Sequence, residues 1–312
     1  SNSLNLMAQK IVFMGTPEFS IPTLESLVNS NHKVLAVYSQ PASKANRGQK
    51  IISSSVETFA KKNSLNLRTP SNLNNEEEIN YFKKLEPDIV IVIAYGKIIP
   101  KKFLDLSKHG FINIHASLLP KWRGAAPIQR SIMNLDNQTG ISIMKIVEEL
   151  DAGPIMQQEK IQINEKIDTL TLSKVLSKLG ANSIMKAINK IAKGEARFEQ
   201  QKHNEATYAK KISKMEAKIN WNQTAKKVLA KINGLNPNPG AWFEYKKERF
   251  KVWKAEIVNE NSDPGKTIDD QLTIACNEES IRILEIQKEG KKRQTSNQFL
   301  LGNKIKQGES II

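Results

Sequence analysis

The sequence predicts an α/β protein with a doubly wound, mostly parallel sheet, followed by a small C-terminal β-barrel domain. Short apolar strands alternate with amphipathic helices up to about residue 114, as in β-α-β units. Residues 89–94 read IVIVIA, a continuous apolar run of the kind that parallel sheets bury on both faces. Beyond residue 207 the pattern changes to one helix and several short strands, which indicates a small barrel of OB-like size.

The first predicted strand, residues 10–14, is followed by Gly15 and by Thr16, which we expect to cap a helix that begins at Pro17. This turn lacks the G-x-G-x-x-G fingerprint, which argues against a nicotinamide enzyme. Further strands are predicted at 34–38, 89–94, 139–146 and 155–163 and from residue 111, and helices at 17–28, 56–62, 76–85, 125–133 and 169–191.

Residues 40–55 have no apolar period and are predicted to form a long surface loop. The loop carries Lys44, Arg47 and Lys50. A loop of this length in a compact domain is usually functional or disordered. Its composition suits an arm that becomes ordered on a phosphate backbone.

The domain organisation follows from a change of pattern near residue 196. Residues 196–207 are polar and lack a period, so we predict a linker there, between a catalytic domain at 7–195 and a C-terminal domain at 208–312. The second domain is predicted to contain a helix at 223–232 and strands at 241–245, 250–257, 271–275 and 281–287. Residues 1–6 are expected to be a leader or tag ahead of a natural start at Met7.

The composition of the chain limits the kinds of protein that this can be. Of 312 residues, 39% are apolar, and the apolar runs are too short to span a membrane. Cys276 is the one cysteine and the four histidines are scattered, so we expect no internal disulfide, no metal site and a cytoplasmic location. The net charge of +15 points to a polyanionic partner, most simply nucleic acid, although a solvated lysine-rich surface would give the same number.

Asn113 and His115 are the first candidates for chemistry. With period-2 alternation they fall on the same face of the strand that begins at residue 111. Ser117 to Pro120 end this strand, and open α/β sheets place their chemistry at such strand ends. The alternative interpretation is a buried Asn and His that are satisfied by backbone groups.

Asp151, in a Gly- and Pro-containing turn between two predicted strands, is the best candidate for a third partner. In such a set His supplies a proton or positive charge, Asn supplies an amide donor, and Asp orients the His or accepts a proton. Ser117 has no G-x-S-x-G elbow around it, which disfavours covalent catalysis. Direct attack on a carbonyl, with the oxyanion held by Asn113 and His115, fits these residues better.

The sequence resembles the methionyl-tRNA formyltransferases, which belong to the wider group of folate-dependent formyltransferases. The resemblance rests on MGTPEFS, AYGKIIP, NIHASLLPKWRGAAPIQRSI, TGISIMKI and LDAGPI, and continues through TYAKKISKMEAKINW and FKVW. It covers nearly the whole chain from Met7. It implies a formyltransferase domain followed by a C-terminal OB-like domain that holds tRNA.

Carried over residue by residue, the resemblance makes Asn113, His115 and Asp151 the catalytic triad. It implies formyl transfer from 10-formyltetrahydrofolate to the α-amine of initiator methionyl-tRNA, in a monomer without a metal. The expected folate-site residues are Ser117, Leu118, Leu119, Pro120, Ile93 and Tyr95. The expected tRNA contacts are Lys44, Arg47, Lys50, Lys210, Lys211 and Lys214.

The basic loop departs from the family pattern, which resembles P-D-R-P-A-G-R-G. An Asp, an Arg and a Gly of that pattern are replaced by Ala42, Ser43 and Asn46. Arg47 matches the arginine that probes the acceptor end of the tRNA, and Lys44 partly restores the charge. The departure bears on the detailed contacts of the loop and leaves its expected role unchanged.

Three alternatives stay open on the sequence alone. The first is a formyltransferase for a small amine, such as a nucleotide sugar or glycinamide ribonucleotide. The second is a non-catalytic RNA-binding protein that kept the fold. The third is a formyltetrahydrofolate hydrolase, which would form product without an acceptor.

Overall fold

The computed structural model describes residues 7–45 and 50–312. The predicted leader at residues 1–6, together with Asn46 and Arg47, therefore lies outside the described residues. The chain divides into two compact units: residues 1–124, 140–161 and 173–208 form the first, and residues 125–139, 162–172 and 209–312 form the second. The predicted linker, residues 196–207, belongs to the first unit, while the sequence-based division into two domains stays a prediction.

Up to residue 209, strands and helices alternate. The strands are β1 (Lys10–Gly15), β2 (Lys33–Tyr38), β3 (Ser43–Ala45), β4 (Lys50–Ile52), β5 (Leu67–Arg68), β6 (Ile89–Ile93), β7 (Phe111–His115), β8 (Arg123–Gly124), β9 (Gln138–Lys145), β10 (Ile155–Gln162) and β11 (Tyr208–Ala209). The helices are α1 (Ile21–Val28), α2 (Ser55–Lys62), α3 (Glu76–Leu85), α4 (Lys101–Leu104), α5 (Pro127–Met133) and α6 (Thr169–Ala192).

Seven of the described strands form the central sheet, in the order β10-β9-β7-β6-β1-β2-β5. The pairs β1–β2, β1–β6, β2–β5 and β6–β7 are parallel, and β7–β9 is antiparallel. The chain runs from β1 to β2 on one side and returns to β6 on the other, so the strand order reverses beside β1. In open α/β sheets, ligands bind at the carboxyl ends of the strands next to such a switch point.

The core of the first unit explains why the strands at its centre are apolar throughout. All five residues of β6 are buried, as the IVIVIA run predicts. On one side of the sheet, Phe82 of α3 packs against Phe103 at 5.2 Å and Phe111 at 5.7 Å between ring centroids. This packing fixes β7 against its neighbours and therefore the start of the strand that carries Asn113 and His115.

The predicted start of the first helix is wrong. Residues Glu18–Ser20 form a 3₁₀ turn and α1 begins at Ile21. Thr16 does not cap a helix, because its Oγ1 donates to Tyr95 O at 2.7 Å, while Ser20 Oγ donates to Ile93 O at 2.6 Å. The two hydroxyl groups satisfy carbonyls at the end of β6, and they tie the β1 turn to the β6 turn.

The basic loop is more ordered than predicted. Its described part contains an antiparallel pair in which Lys44 lies opposite Ile51 and Ser43 lies opposite Ile52. The side chains of Ile51 and Ile52 are exposed, so the arm presents apolar as well as basic groups. Hydrogen bonds along a two-stranded ladder need no apolar period, which is why the sequence pattern did not predict these strands.

The second unit is a small β-rich domain, as predicted. Its strands are β12 (Ala241–Tyr245), β13 (Glu248–Val258), β14 (Thr273–Ala275), β15 (Ser280–Lys288) and β16 (Gln294–Thr295), and its helices beyond residue 209 are α7 (Ala225–Gly234) and α8 (Ser296–Gly302). The strands pair in the order β12-β13-β15-β14, with β16 on β15. Neither β16 nor α8 was predicted from the sequence, although Thr295 and Gln298 form a capping box that marks a helix start.

Cys276 lies in the core of this unit. Burial raises the pKa of its thiol to about 12, so the thiol stays protonated at neutral pH. Reactive cysteines have a lowered pKa instead, and Cys276 is therefore a packing residue.

Candidate active site

The carboxyl end of β7 carries the two polar residues that the sequence singled out. Asn113 is half-buried and lies opposite Val92 of β6 and Met144 of β9. Its amide makes no hydrogen bond to any residue within 7–45 and 50–312. A half-buried amide without a protein partner is available to a ligand.

His115 is buried and makes a hydrogen bond that assigns its ring protons. Its Nε2 lies 2.7 Å from Trp122 O, and since a carbonyl only accepts, Nε2 carries the proton. In the neutral ring Nδ1 then holds the lone pair. Nδ1 lies 3.7 Å from Asp151 Oδ1, close enough for the carboxylate to stabilise a proton that arrives there.

Asp151 reaches this position from the turn between β9 and β10. Its other oxygen, Oδ2, accepts a hydrogen bond of 2.8 Å from Gly124 N, so the carboxylate is fixed by backbone on one side and faces His115 on the other. The sequence-predicted triad is thus brought together: His115 and Asp151 are in contact, and Asn113 shares the strand face of His115.

Three residues in and next to this site have a left-handed backbone conformation. Asp151, Trp122 and Ala94 have positive φ values of 54°, 59° and 48°, a region that costs a non-glycine residue of order 1–3 kcal/mol. Gly153 completes the Asp151 turn, where a Cβ atom would collide with Lys145 O. These conformations let groups such as the Asp151 side chain and the Trp122 carbonyl point into the site, which a regular strand would not allow.

The segment Ser117 to Pro120 is fixed to the sheet by Ser142, the residue of β9 opposite His115. Ser142 Oγ donates to Ser117 O at 2.7 Å and accepts from Leu119 N at 3.0 Å. Gln158 Nε2 donates to the same hydroxyl and to Leu119 O, both at 2.9 Å. Sequence analysis missed Ser142, although a serine inside the apolar run of β9 is a recognisable signal.

Replacing Ser142 by alanine should therefore loosen this segment. Two buried backbone groups lose their partner, and each unsatisfied group costs about 1–3 kcal/mol. We expect a lower melting temperature and about a tenfold weaker binding of a reduced folate, measured by calorimetry. Ser177→Ala is the matched control, because Ser177 is also buried but its hydroxyl donates within α6, to Lys174 O. Equal folate affinity in both variants would contradict the role of Ser142.

The residues that are expected to line the folate site differ in their solvent exposure. Leu118 and Pro120 are half-buried, whereas Ser117 and Leu119 are buried. Ile93 and Tyr95 are also buried, and Tyr95 packs in the aromatic core, where burial raises the pKa of its hydroxyl group. The side chains of Leu118 and Pro120 are therefore the ones that a ligand at this edge can reach first.

A second network lies behind Asp151 and was not predicted. Arg123, which is 2% exposed, donates to Gln201 Oε1 from Nε at 3.2 Å and from Nη2 at 2.9 Å. Gln201 in turn donates to the carbonyl groups of Asp151 and Gly153, both at 2.8 Å. No sequence signal identified Gln201, because it stands in a polar stretch that looks like a linker.

The candidate tRNA contacts lie in exposed positions of both units. Lys44 and Lys50 are exposed in the arm, and Arg47 lies outside the described residues. In the second unit, Arg130 donates to Lys210 O at 3.0 Å and Lys211 O at 3.3 Å and forms a two-pronged ion pair with Glu216. The hydrogen bonds from Arg130 lower the pKa of Glu216. Lys210, Lys211 and Lys214 are all exposed in this segment.

Two kinds of feature are absent from the described residues. No group of three or more His, Cys, Asp or Glu side chains within 7–45 and 50–312 is arranged to hold a metal ion. Likewise, none of the helices in that part of the chain is both long enough and apolar enough to cross a bilayer.

Comparison with known families identifies the class of enzyme. The family described as Formyl transferase matches residues 9–188, and the family described as Formyl transferase, C-terminal domain matches residues 211–304. The chain therefore belongs to the formyl transferase family, and it is an enzyme of one-carbon group transfer.

Individual relatives show which group within this family the chain is similar to. The methionyl-tRNA formyltransferase of Pelagibacter ubique (strain HTCC1062) is 50% identical over 98% of this chain and 99% of its own length. Those of Bradyrhizobium diazoefficiens and Thermodesulfovibrio yellowstonii are each 41% identical over 97% of this chain and over 99% and 98% of their own lengths. This full-length similarity confirms the resemblance to methionyl-tRNA formyltransferases that the sequence motifs indicated.

Solved structures share the fold at much lower identity. HypX from Aquifex aeolicus in complex with tetrahydrofolic acid superposes with a TM-score of 0.67 at 16% identity, over 94% of this chain and 47% of that protein. An N-formyltransferase from Helicobacter canadensis, in complex with folinic acid and dTDP-3-aminofucose, superposes with a TM-score of 0.66 at 19% identity, over 89% and 98%. These matches confirm the predicted α/β fold class.

Proposed function

We propose that the protein transfers the formyl group of 10-formyltetrahydrofolate to the α-amino group of methionyl initiator tRNA. The observation that carries this proposal is the 50% identity to a methionyl-tRNA formyltransferase over nearly the full length of both chains. The contact between His115 and Asp151, beside the Asn113 amide that has no partner among the described residues, adds a site with the right chemistry. The net charge of +15 suits a polyanionic substrate.

The reaction needs an oxyanion site and a route for one proton. The amine nitrogen of the methionyl ester attacks the formyl carbon, and the carbonyl oxygen becomes an oxyanion. The new C–N bond is kept, the bond from carbon to folate N10 breaks, and the proton lost by the amine is delivered to N10. No oxidant, reductant or nucleophilic side chain is required.

Asn113 and His115 supply the oxyanion site in this proposal. The Asn113 amide is a neutral donor without a described protein partner, so it binds the developing charge without a change of protonation. His115 donates Nε2–H to Trp122 O, which leaves Nδ1 to take up a proton. Once Nδ1 is protonated, the imidazolium ring places a positive charge near the developing oxyanion.

Asp151 is the charged partner of the His115 ring in this proposal. Its Oδ1 lies 3.7 Å from Nδ1, so the carboxylate acts as the countercharge of the imidazolium, which then gives the amine proton to folate N10. The hydrogen bond from Gly124 N to Oδ2 holds the carboxylate in its orientation throughout.

The residues that bind the formyl donor and the tRNA are proposed from their position and exposure. The half-buried side chains of Leu118 and Pro120 offer apolar contacts for the pterin and its linker, since small-ligand sites are mostly apolar with a few polar groups. The exposed lysines of the arm and of the segment around Lys210 to Lys214 contribute sequence-independent attraction to phosphates.

The decisive experiment supplies purified protein with 10-formyltetrahydrofolate that is labelled on the formyl carbon, together with methionyl initiator tRNA. We expect label on the aminoacyl ester at a rate proportional to enzyme. A reaction without tRNA tests for a hydrolase, and one with a nucleotide-linked amino sugar tests for a small-amine enzyme. Label on the sugar, or release of formate without an acceptor, would refute the proposal.

Arg47 and Lys44 should affect tRNA recognition in different ways. The planar guanidinium can bond a base edge in two places, whereas an ammonium group mainly neutralises phosphate. We expect Arg47→Ala to lower kcat/KM for initiator tRNA roughly 10–100-fold, with little change in melting temperature. Lys44→Ala should weaken all tRNAs evenly and flatten the salt dependence of binding by about one unit of slope.

The measurement compares initiator and elongator methionyl-tRNA with both variants over a salt series. An unchanged ratio between the two tRNAs in Arg47→Ala would show that discrimination lies elsewhere. In that case the arm is only an electrostatic contact.

A further inference from the structure

Residues 122–124 contact both members of the proposed catalytic pair. Trp122 O accepts the hydrogen bond from His115 Nε2, and Gly124 N donates to Asp151 Oδ2. Two neighbouring peptide groups therefore orient the two side chains that face each other across 3.7 Å. A shift of this segment would change the distance between the imidazole and the carboxylate.

Arg123, between these two peptide groups, anchors the segment in the interior. Its guanidinium donates to Gln201 Oε1 and, from Nη2, to His203 Nδ1 at 2.8 Å. Within residues 7–45 and 50–312, no carboxylate forms an ion pair with it. Burial of a cation without a countercharge is costly unless its donors are satisfied, so the amide oxygen of Gln201 is a partner that Arg123 needs.

The same Gln201 side chain also supports the turn that carries Asp151. While Oε1 accepts from Arg123, Nε2 donates to Asp151 O and Gly153 O. Asp151 is in the left-handed region with φ of 54°, a conformation that persists only where surrounding contacts hold it. One buried amide therefore connects the segment that orients His115 to the turn that supplies Asp151.

We propose that Arg123 and Gln201 are positioning residues for formyl transfer. Together they set the separation of His115 and Asp151 by joining residues 122–124 to the turn at residues 151–153. They act through the backbone that holds these two side chains. The inference rests on the proposed function, because the separation matters only if the pair takes part in the transfer.

Gln201→Glu separates this role from general stability. The carboxylate keeps an acceptor for Arg123 and gains an ion pair, but it can no longer donate to the carbonyl groups of Asp151 and Gly153. We expect a folded variant with kcat reduced roughly 10–100-fold, the loss typical of reacting groups that are misplaced by about 1 Å. The KM values for tRNA and for the formyl donor should stay close to those of the wild type.

Two further variants complete the design. Gln157→Leu is the matched control, because its amide donates to Ser183 O and Oγ and not to the site, and it should keep the wild-type kcat. Gln201→Glu combined with Asp151→Asn should be scarcely slower than Asp151→Asn alone, since effects of residues that act together are not additive.

The outcomes are distinguishable. Wild-type protein that transfers no formyl group to methionyl-tRNA refutes the proposed function and this inference with it. Active wild type beside an equally active Gln201→Glu refutes only the inference. Losses that multiply in the double variant, or a fall in donor affinity and melting temperature that accounts for the lost activity, would also overturn it, because Gln201 would then be merely structural.

Discussion

His115→Ala is expected to lower kcat for formyl transfer about 100–1,000-fold or more, the usual cost of removing one oxyanion donor. The variant loses the group that takes up the proton at Nδ1 and the positive charge that this proton creates beside the oxyanion. Asn113 and Asp151 remain in place, so donor and tRNA binding should change little. The measurement is single-turnover transfer to methionyl initiator tRNA, with folate binding determined separately.

His32→Ala is the control for this experiment. His32 is also buried and its Nδ1 accepts a hydrogen bond of 2.9 Å from Gln9 N, and burial lowers the pKa of its ring. We expect this variant to lose stability and to keep its turnover. If His115→Ala retains most of its single-turnover rate, the catalytic assignment of His115 is wrong.

Asp151→Asn should have the second-largest effect, a fall in kcat of about 100-fold or more, within the range for general acid–base groups. The amide oxygen of asparagine can still accept from Gly124 N, so the turn keeps its shape. The negative charge opposite His115 Nδ1 is lost, and with it the stabilisation of the imidazolium. The KM values should move little, because the charge acts on the transition state.

Asp88→Asn tests whether replacing Asp by Asn is harmful at any carboxylate that accepts a backbone hydrogen bond. Asp88 Oδ2 accepts from Lys10 N at 2.8 Å, the same kind of carboxylate-to-backbone bond that Asp151 makes with Gly124. We expect full activity from this control. Near-normal turnover of Asp151→Asn would reduce Asp151 to a structural turn residue and would leave His115 without a charged partner in the mechanism.

The sequence predicted the central strands well because their apolar patterns are local. A run such as IVIVIA records burial on both faces, and β6 is buried along its whole length. The sequence predicted the structure less well where a polar side chain hydrogen-bonds to a backbone group that is distant along the chain. Thr16 has the residue type of a helix cap, yet it bonds to Tyr95 O, a partner that only the pairing of β1 with β6 brings near.

For the candidate site, the sequence by itself determined which side chains share a strand face and which turn offers a carboxylate. Asn113 and His115 share a face because side chains alternate along any strand. That Asp151 faces His115 at 3.7 Å follows only from the fold, since their contact depends on the pairing of β7 with β9 and on the positive φ of Asp151. Gln201 shows the limit most clearly: its acceptor serves residues 122–124 and its donors serve the turn at residues 151–153, and no local pattern records hydrogen bonds between segments that meet only in the fold.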